Sequence, residues 1–197
     1  MYILRRKVKM LKIYGFNDLD SVSPELFNNA IKVLPAERVK RIDRYKNYED
    51  KKLSVISYLL CVYGLYDCFS IKKPIIGLGK NGKPFLVDYP DIYFNISHCK
   101  IGCVCAVSDN PVGIDIQNNT DYSYKVAEKV CCQHELEYIN KKENKSKAFT
   151  KIWAMKESYV KMTGDGICVG LKEINVLRMD GMIRVIDLDN GVIAVCS

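Results

Sequence analysis

WAMKESYVK, residues 153–161, sets Trp153, Glu157 and Lys161 at four-residue spacing. On a helix that spacing draws one stripe along one face. Around it, Phe149, Ile152, Met155, Tyr159 and Val160 supply the apolar positions of a helix running from Lys145 to Thr163. Gly164-Asp165-Gly166 then allows a sharp exit and close approach of a ligand to the backbone. The plain reading of Glu157 and Lys161 is an exposed ion pair, worth a few tenths of a kcal/mol. The other reading is that an acid and a lysine one turn apart hold a metal and steady a phosphate leaving group. The chain's only tryptophan on the same stripe favours the second.

Upstream, VGIDIQ at 112–117 reads as a short apolar strand with one carboxylate, Asp115, between Ile114 and Ile116. Pro111 and Gly113 shape the approach to it. A buried strand rarely carries an ionised residue unless something offsets its desolvation. Strand alternation puts Gln117 on the same side as Asp115. A carboxylate capping a turn is one account of Asp115, and a metal ligand at a sheet edge is the preferred one. Two carboxylates from distant segments, with cations nearby, suggest magnesium gripping a phosphate-bearing substrate. Asn95-Ile96-Ser97-His98 closes another apolar strand. A lone histidine is more often structural, but beside Ser97 at a strand end it can donate to a phosphate. Lys83, after the Asn81-Gly82 turn and before rigid Pro84, is a further cation.

The chain has 197 residues, 48% of them hydrophobic and 27% charged, which suits one sizeable domain or two small packed halves. The longest apolar stretch, around Leu59 to Tyr66, is too short for a membrane span. The opening MYILRRKVKM is basic without the apolar core of a signal peptide. A cytoplasmic protein without a membrane partner is expected. The net charge of +7 points to anionic partners. Nine cysteines cannot all pair within one chain, and most sit in apolar company, as small core residues. No C-x2-C pair supports a zinc knuckle.

Leu11 to Phe16 reads as a strand, and Ser23-Pro24-Glu25 as a helix start. A second helix begins near Pro35, carrying Arg38, Lys40, Arg41 and Arg44, and a third runs from about Tyr48 to Tyr66. Strands are expected at about 92–98, 101–108 and 112–117. Helical segments at 123–139 and 146–163 then precede strands near 171–178, 182–187 and 191–196. The class is α+β, with each half carrying helices and a small, largely antiparallel sheet.

In this order, GKP at 82–84, FNISH at 94–98, VGIDIQ at 112–117 and WAMKESYVKMTGDG at 153–166 resemble the surfactin-type 4'-phosphopantetheinyl transferases. KIYGF at 12–16 is similar to the family's opening strand, so the resemblance spans roughly residues 10–197. It implies a pseudo-dimer of two similar α+β halves, 10–110 and 111–197, with residues 1–9 a basic extension. Coenzyme A would lie in the cleft between the halves. The implied reaction moves its phosphopantetheine arm to a serine of an acyl or peptidyl carrier protein, releasing adenosine 3',5'-bisphosphate. By position, Asp115 and Glu157 would bind Mg2+, with Gln117 where many relatives have glutamate. Glu157 would also be the base for the carrier serine, and Lys161 would neutralise the departing phosphate. Ser97 and His98 would meet the 3'-phosphate of coenzyme A, Lys83 and Pro84 the nucleotide, and Lys156 its phosphates. Lys40, Arg41 and Arg44 resemble a basic cluster at the same 3'-phosphate. A pseudo-dimer completes its own cleft, so a monomer is expected. An inactive relative that only binds coenzyme A or carriers is one alternative. A basic nucleic-acid-binding protein is another, but it leaves Asp115 and Glu157 without a role.

Overall fold

The structure, a computed structural model, describes residues 10–166 and 170–197, so the expected extension at 1–9 lies outside the described residues. The first half begins with strand β1 (Leu11–Phe16) and helices α1 (Pro24–Lys32), α2 (Ala36–Asp43) and α3 (Tyr48–Phe69). A short hairpin, β2 (Ile76–Leu78) and β3 (Pro84–Leu86), leads into strands β4 (Tyr93–Cys99) and β5 (Gly102–Ser108). The second half runs β6 (Gly113–Asn118), α4 (Tyr124–Val130), α5 (Gln133–Asn140), α6 (Lys145–Thr163), β7 (Ile183–Leu188) and β8 (Gly191–Cys196). Its sheet order, β6-β8-β7, repeats the β1-β5-β4 order of the first, and every pairing in both is antiparallel. Each half is therefore a strand, three helices and a closing strand pair, with β2–β3 added to the first. This is an α+β fold of two similar halves.

Local chemistry starts the helices where the sequence offers caps. The Ser23 hydroxyl accepts the Leu26 N–H at 3.1 Å with Pro24 in the first turn, and Asn144 Oδ1 accepts the Lys147 N–H at 2.8 Å. The halves join along β4, β6 and α6. Asn95 Oδ1 on β4 accepts the Ile114 N–H of β6 at 2.9 Å. Gly113 presses β6 onto α6 so tightly that a Cβ there would lie 2.0 Å from the Ser158 carbonyl oxygen. A core of Val104, Ala106, Val112, Ile114, Ile116 and Val195 draws on both halves. Cys61, Cys103, Cys105, Cys131 and Cys196 are buried among apolar side chains, and the cysteines among the described residues are free.

Three expectations need correction. The helix expected at 123–139 breaks at Cys131 and Cys132, both extended, because inward-turned Glu135 accepts the Cys132 N–H at 2.9 Å and starts a new helix. The strand expected at 171–178 is two single 3-10 turns, Leu171–Glu173 and Val176–Arg178. Buried side chains, rather than a neighbouring strand, take that segment's backbone groups. Lys156 donates to the Leu171 and Ile174 carbonyls, and Glu135 accepts the Val176 N–H. Finally, α3 has 22 residues and is long and apolar enough to cross a membrane by length and composition. Leu53, Val55, Ile56, Cys61 and Leu65 on it are buried against the neighbouring elements.

Candidate active site

The four-residue stripe on α6 forms as its spacing dictates: Trp153, Glu157 and Lys161 are all half-buried, while Ile152, Ala154, Lys156, Ser158 and Val160 are buried. Gly164 closes the helix in the left-handed region at φ 79°, donating its N–H to the Val160 carbonyl at 2.9 Å. The stripe faces β6, where Asp115 is only 2% exposed.

Asp115 has a partner on each oxygen. Its Oδ1 accepts from the Ser97 hydroxyl at 2.8 Å and from the Lys161 ammonium at 2.5 Å; its Oδ2 accepts from the Gln117 amide at 2.8 Å. Lys161 also donates to Ser97 Oγ at 3.0 Å. Lys161 therefore pairs with Asp115, where the plain reading of the sequence paired it with Glu157. Burial raises the Glu157 carboxyl above the ordinary range; Lys161 opposes this, and the Asp115 charge adds to it. Asp115, Gln117, Ser97 and Lys161 are thus in direct contact, and Glu157 lies within the electrostatic reach of the first and last.

Ser97 and His98 point in different directions. Successive side chains of a strand point to opposite faces, so Ser97 turns toward β6 and Asp115 while His98 turns away. A 3'-phosphate meeting both, as expected, would have to reach the two faces of this strand end. His98 stands in a cationic neighbourhood: partial burial first, then Lys161 and Arg38, push its imidazole below the ordinary range, with Asp50 opposing.

Arg38 was not among the expected site residues. Its guanidinium donates to the Ser54 carbonyl oxygen at 2.8 Å and hydroxyl at 3.0 Å, lies 5.3 Å from the Tyr58 ring centre, and keeps a buried Nε without a partner. Lys40 and Arg44 sit on a different face of α2, roughly 200–240° around from Arg38 at 3.6 residues per turn. Lys40 is bound to Glu37 at 2.8 Å in solvent, and Arg44 is exposed. The legible signal for Arg38 was its four-residue offset from Ile42, which is fully buried.

Lys156 is the clearest departure. It is fully buried beside fully buried Glu135, with Nζ 2.8 Å from Oε2, 2.8 Å from the Leu171 oxygen, and bonded to the Ile174 oxygen. An ammonium has three N–H donors, so none remains for a nucleotide phosphate.

Lys83 reaches across from the 79–84 loop and donates to the Met162 carbonyl at 2.5 Å; burial lowers its ammonium below the ordinary range. Asn81 donates to the carbonyls of Gly164 at 3.1 Å and Asp165 at 3.0 Å. This loop thus clasps the carbonyl end of α6, where cations are favoured. Lys83 and Pro84 also line a cleft of about 540 Å³ walled by Tyr89, Phe94, Pro111 and Met162.

A buried carboxylate holding a lysine, a second acid within their electrostatic reach and Arg38 beyond suit a phosphate-bearing substrate. Comparison with known proteins agrees. Residues 111–193 match the family model of the 4'-phosphopantetheinyl transferase superfamily, and residues 21–110 match that of the 4'-phosphopantetheinyl transferase N-terminal region. The 4'-phosphopantetheinyl transferase gsp of Aneurinibacillus migulanus is 34% identical over 166 residues, covering 82% of this chain and 68% of the relative. For the 4'-phosphopantetheinyl transferase Sfp of Bacillus subtilis (strain 168) the identity is 27% over 180 residues, covering 89% and 80%. The L-aminoadipate-semialdehyde dehydrogenase-phosphopantetheinyl transferase of Saccharomyces cerevisiae is 26% identical over 162 residues, covering 76% and 60%. With both halves matched and the α6 and β6 side chains in contact, the chain belongs to the 4'-phosphopantetheinyl transferase family of enzymes.

Proposed function

We propose that this enzyme moves the 4'-phosphopantetheine arm of coenzyme A to a serine of an acyl or peptidyl carrier protein, releasing adenosine 3',5'-bisphosphate, with Mg2+ required. The observation that carries this reading is the convergence of Asp115, Glu157 and Lys161 from two distant segments. The donor set fits a hard divalent cation. Asp115 and Glu157 offer carboxylate oxygens and Gln117 an amide oxygen, while among the described residues no group of three His, Cys, Asp or Glu gathers. Magnesium is held in this way, by one or two carboxylates with waters and substrate phosphates. Bound there, it would neutralise charge on the pyrophosphate.

The protein's own groups supply the rest. Serine attack forms a P–O bond to the phosphorus that carries pantetheine and breaks the bridging P–O bond to the nucleotide. Glu157 takes the serine proton; desolvation makes it a stronger base than a free carboxylate. Lys161 meets the negative charge gathering on the departing phosphate, an electrostatic task for a fixed cation. Arg38 presents positive charge to the nucleotide end, and His98, its imidazole pushed toward the neutral form, offers a hydrogen-bonding group there. Both walls of the crevice come from one chain, so a monomer suffices. The surplus of positive charge suits acidic carriers.

Incubation with coenzyme A, Mg2+ and an unmodified carrier domain tests the proposal. A gain of one phosphopantetheine mass on the carrier serine is expected. The neutral Gln117 amide, which adds no charge to the cation site, favours the alternative of an inactive relative. Binding of coenzyme A without mass gain would establish that alternative.

A further inference from the structure

The Asp115 carboxylate is almost wholly buried, and its charge partner is a lysine: Asp115 is 2% exposed and the Lys161 side chain 29%. The ammonium sits on Oδ1, held in line by Ser97, which donates to that same oxygen at 2.8 Å and accepts from Lys161 at 3.0 Å. Oδ2 is taken by a neutral donor, the Gln117 amide. Two consequences follow. A buried carboxylate without a counter-charge is strongly disfavoured, and Lys161 supplies that counter-charge to Asp115. A divalent ion on Oδ1 would have to take the place of one of the two donors already there, and the like-charged ammonium is the one it repels.

We propose that Lys161 is the resident cation of the Asp115 pocket, exchanging for the divalent ion only when an anionic ligand gives its ammonium another partner. The proposal rests on the reading of this crevice as a coenzyme A and cation site. With no ligand, metal entry leaves the lysine charge stranded beside a second cation. When the pyrophosphate of coenzyme A arrives, Lys161 swings from Oδ1 to a phosphate oxygen and the vacated carboxylate oxygen accepts the metal. Lys161 is partly solvent-exposed near the carboxyl end of α6, so the swing needs rotamer changes alone. Metal and coenzyme therefore bind cooperatively, each favouring the other by the same factor. Gln117 strengthens the device: a carboxylate there would hold a divalent ion without help, whereas an amide leaves the contest for Asp115 to Lys161. This is a role distinct from steadying the leaving group, because it acts before any bond breaks.

Mn2+ binding to the intact protein, followed by calorimetry with and without coenzyme A, tests it. The parent is expected to bind Mn2+ weakly alone and at least roughly tenfold more tightly with coenzyme A present, within the usual 5–150-fold range of such couplings. Lys161→Met and Lys161→Gln, which remove the charge, should bind Mn2+ alone roughly tenfold more tightly than the parent and lose most of the coupling. Because either variant strands Asp115, a second readout is thermal unfolding. Mn2+ alone should restore the lost stability in the variants and leave the parent unchanged. Variants that bind Mn2+ alone no better than the parent would overturn the proposal even if the parent modifies carriers. A parent that neither gains Mn2+ affinity with coenzyme A nor modifies a carrier would overturn the functional reading with it.

Discussion

Removing Lys156 separates a structural from a nucleotide-binding role. In Lys156→Met, the fully buried Glu135 carboxylate keeps the N–H groups of Cys132 at 2.9 Å and Val176 at 3.0 Å but loses its counter-charge. The Leu171 and Ile174 carbonyls lose a donor as well. Breaking one side of a buried ion pair costs about 3–5 kcal/mol, a large part of the about 5–15 kcal/mol that stabilises a domain. With a urea dependence of about 2 kcal/mol per M, the unfolding midpoint should fall by about 2 M. Trp153, the only tryptophan, lies one turn from Lys156 on α6 and reports unfolding by fluorescence. Adding Glu135→Leu should recover most of the loss, since an apolar pair of similar volume replaces such ion pairs with little penalty. Coenzyme A affinity of the folded double variant, measured by calorimetry, should match the parent. If Lys156→Met kept the parent midpoint while coenzyme A affinity fell, the lysine would belong to the nucleotide site and the reasoning would be wrong.

Two further outcomes follow from the crevice. Burial and Asp115 raise the folded Glu157 pKa above its unfolded value, so its contribution to stability is fullest below the unfolded pKa and is lost as pH rises through the folded one. Glu157→Gln should therefore be more stable than the parent at about pH 8 and no different near about pH 4, while transfer falls at least about 100-fold; a stability difference that does not change with pH would count against this. Gly113→Ala would put a Cβ 2.0 Å from the Ser158 oxygen and 2.4 Å from the Met162 N, both backbone atoms, so β6 and α6 must part. A displacement of about 1 Å costs on the order of 100-fold in rate, with circular dichroism unchanged; parent-like turnover would show that the packing of β6 on α6 does not set the site.

Much of the site was legible because it depends on local periodicity. The 153/157/161 stripe follows from 3.6 residues per turn, and Asp115 announced itself as an acid inside an apolar strand. Its contact with Gln117 followed from two-residue alternation. The same alternation sets Ser97 and His98 on opposite faces of β4. Lys40 and Arg44 lie on one side of α2, and it is the rotation of the helix around buried Ile42 that turns Arg38 inward to Ser54 and Tyr58, within electrostatic reach of His98.

What the sequence by itself determined is most of the helices and strands, the α+β class and the side chains that repeat at helical or strand spacing, because those rest on interactions within a few residues. Tertiary structure alone decided where each charge went. Lys156 and Lys161 are five residues apart on one helix, yet one neutralises Glu135 inside the second half and the other Asp115 at the junction of the two. Buried charges must find partners, and those partners come from segments whose proximity only the packed chain creates.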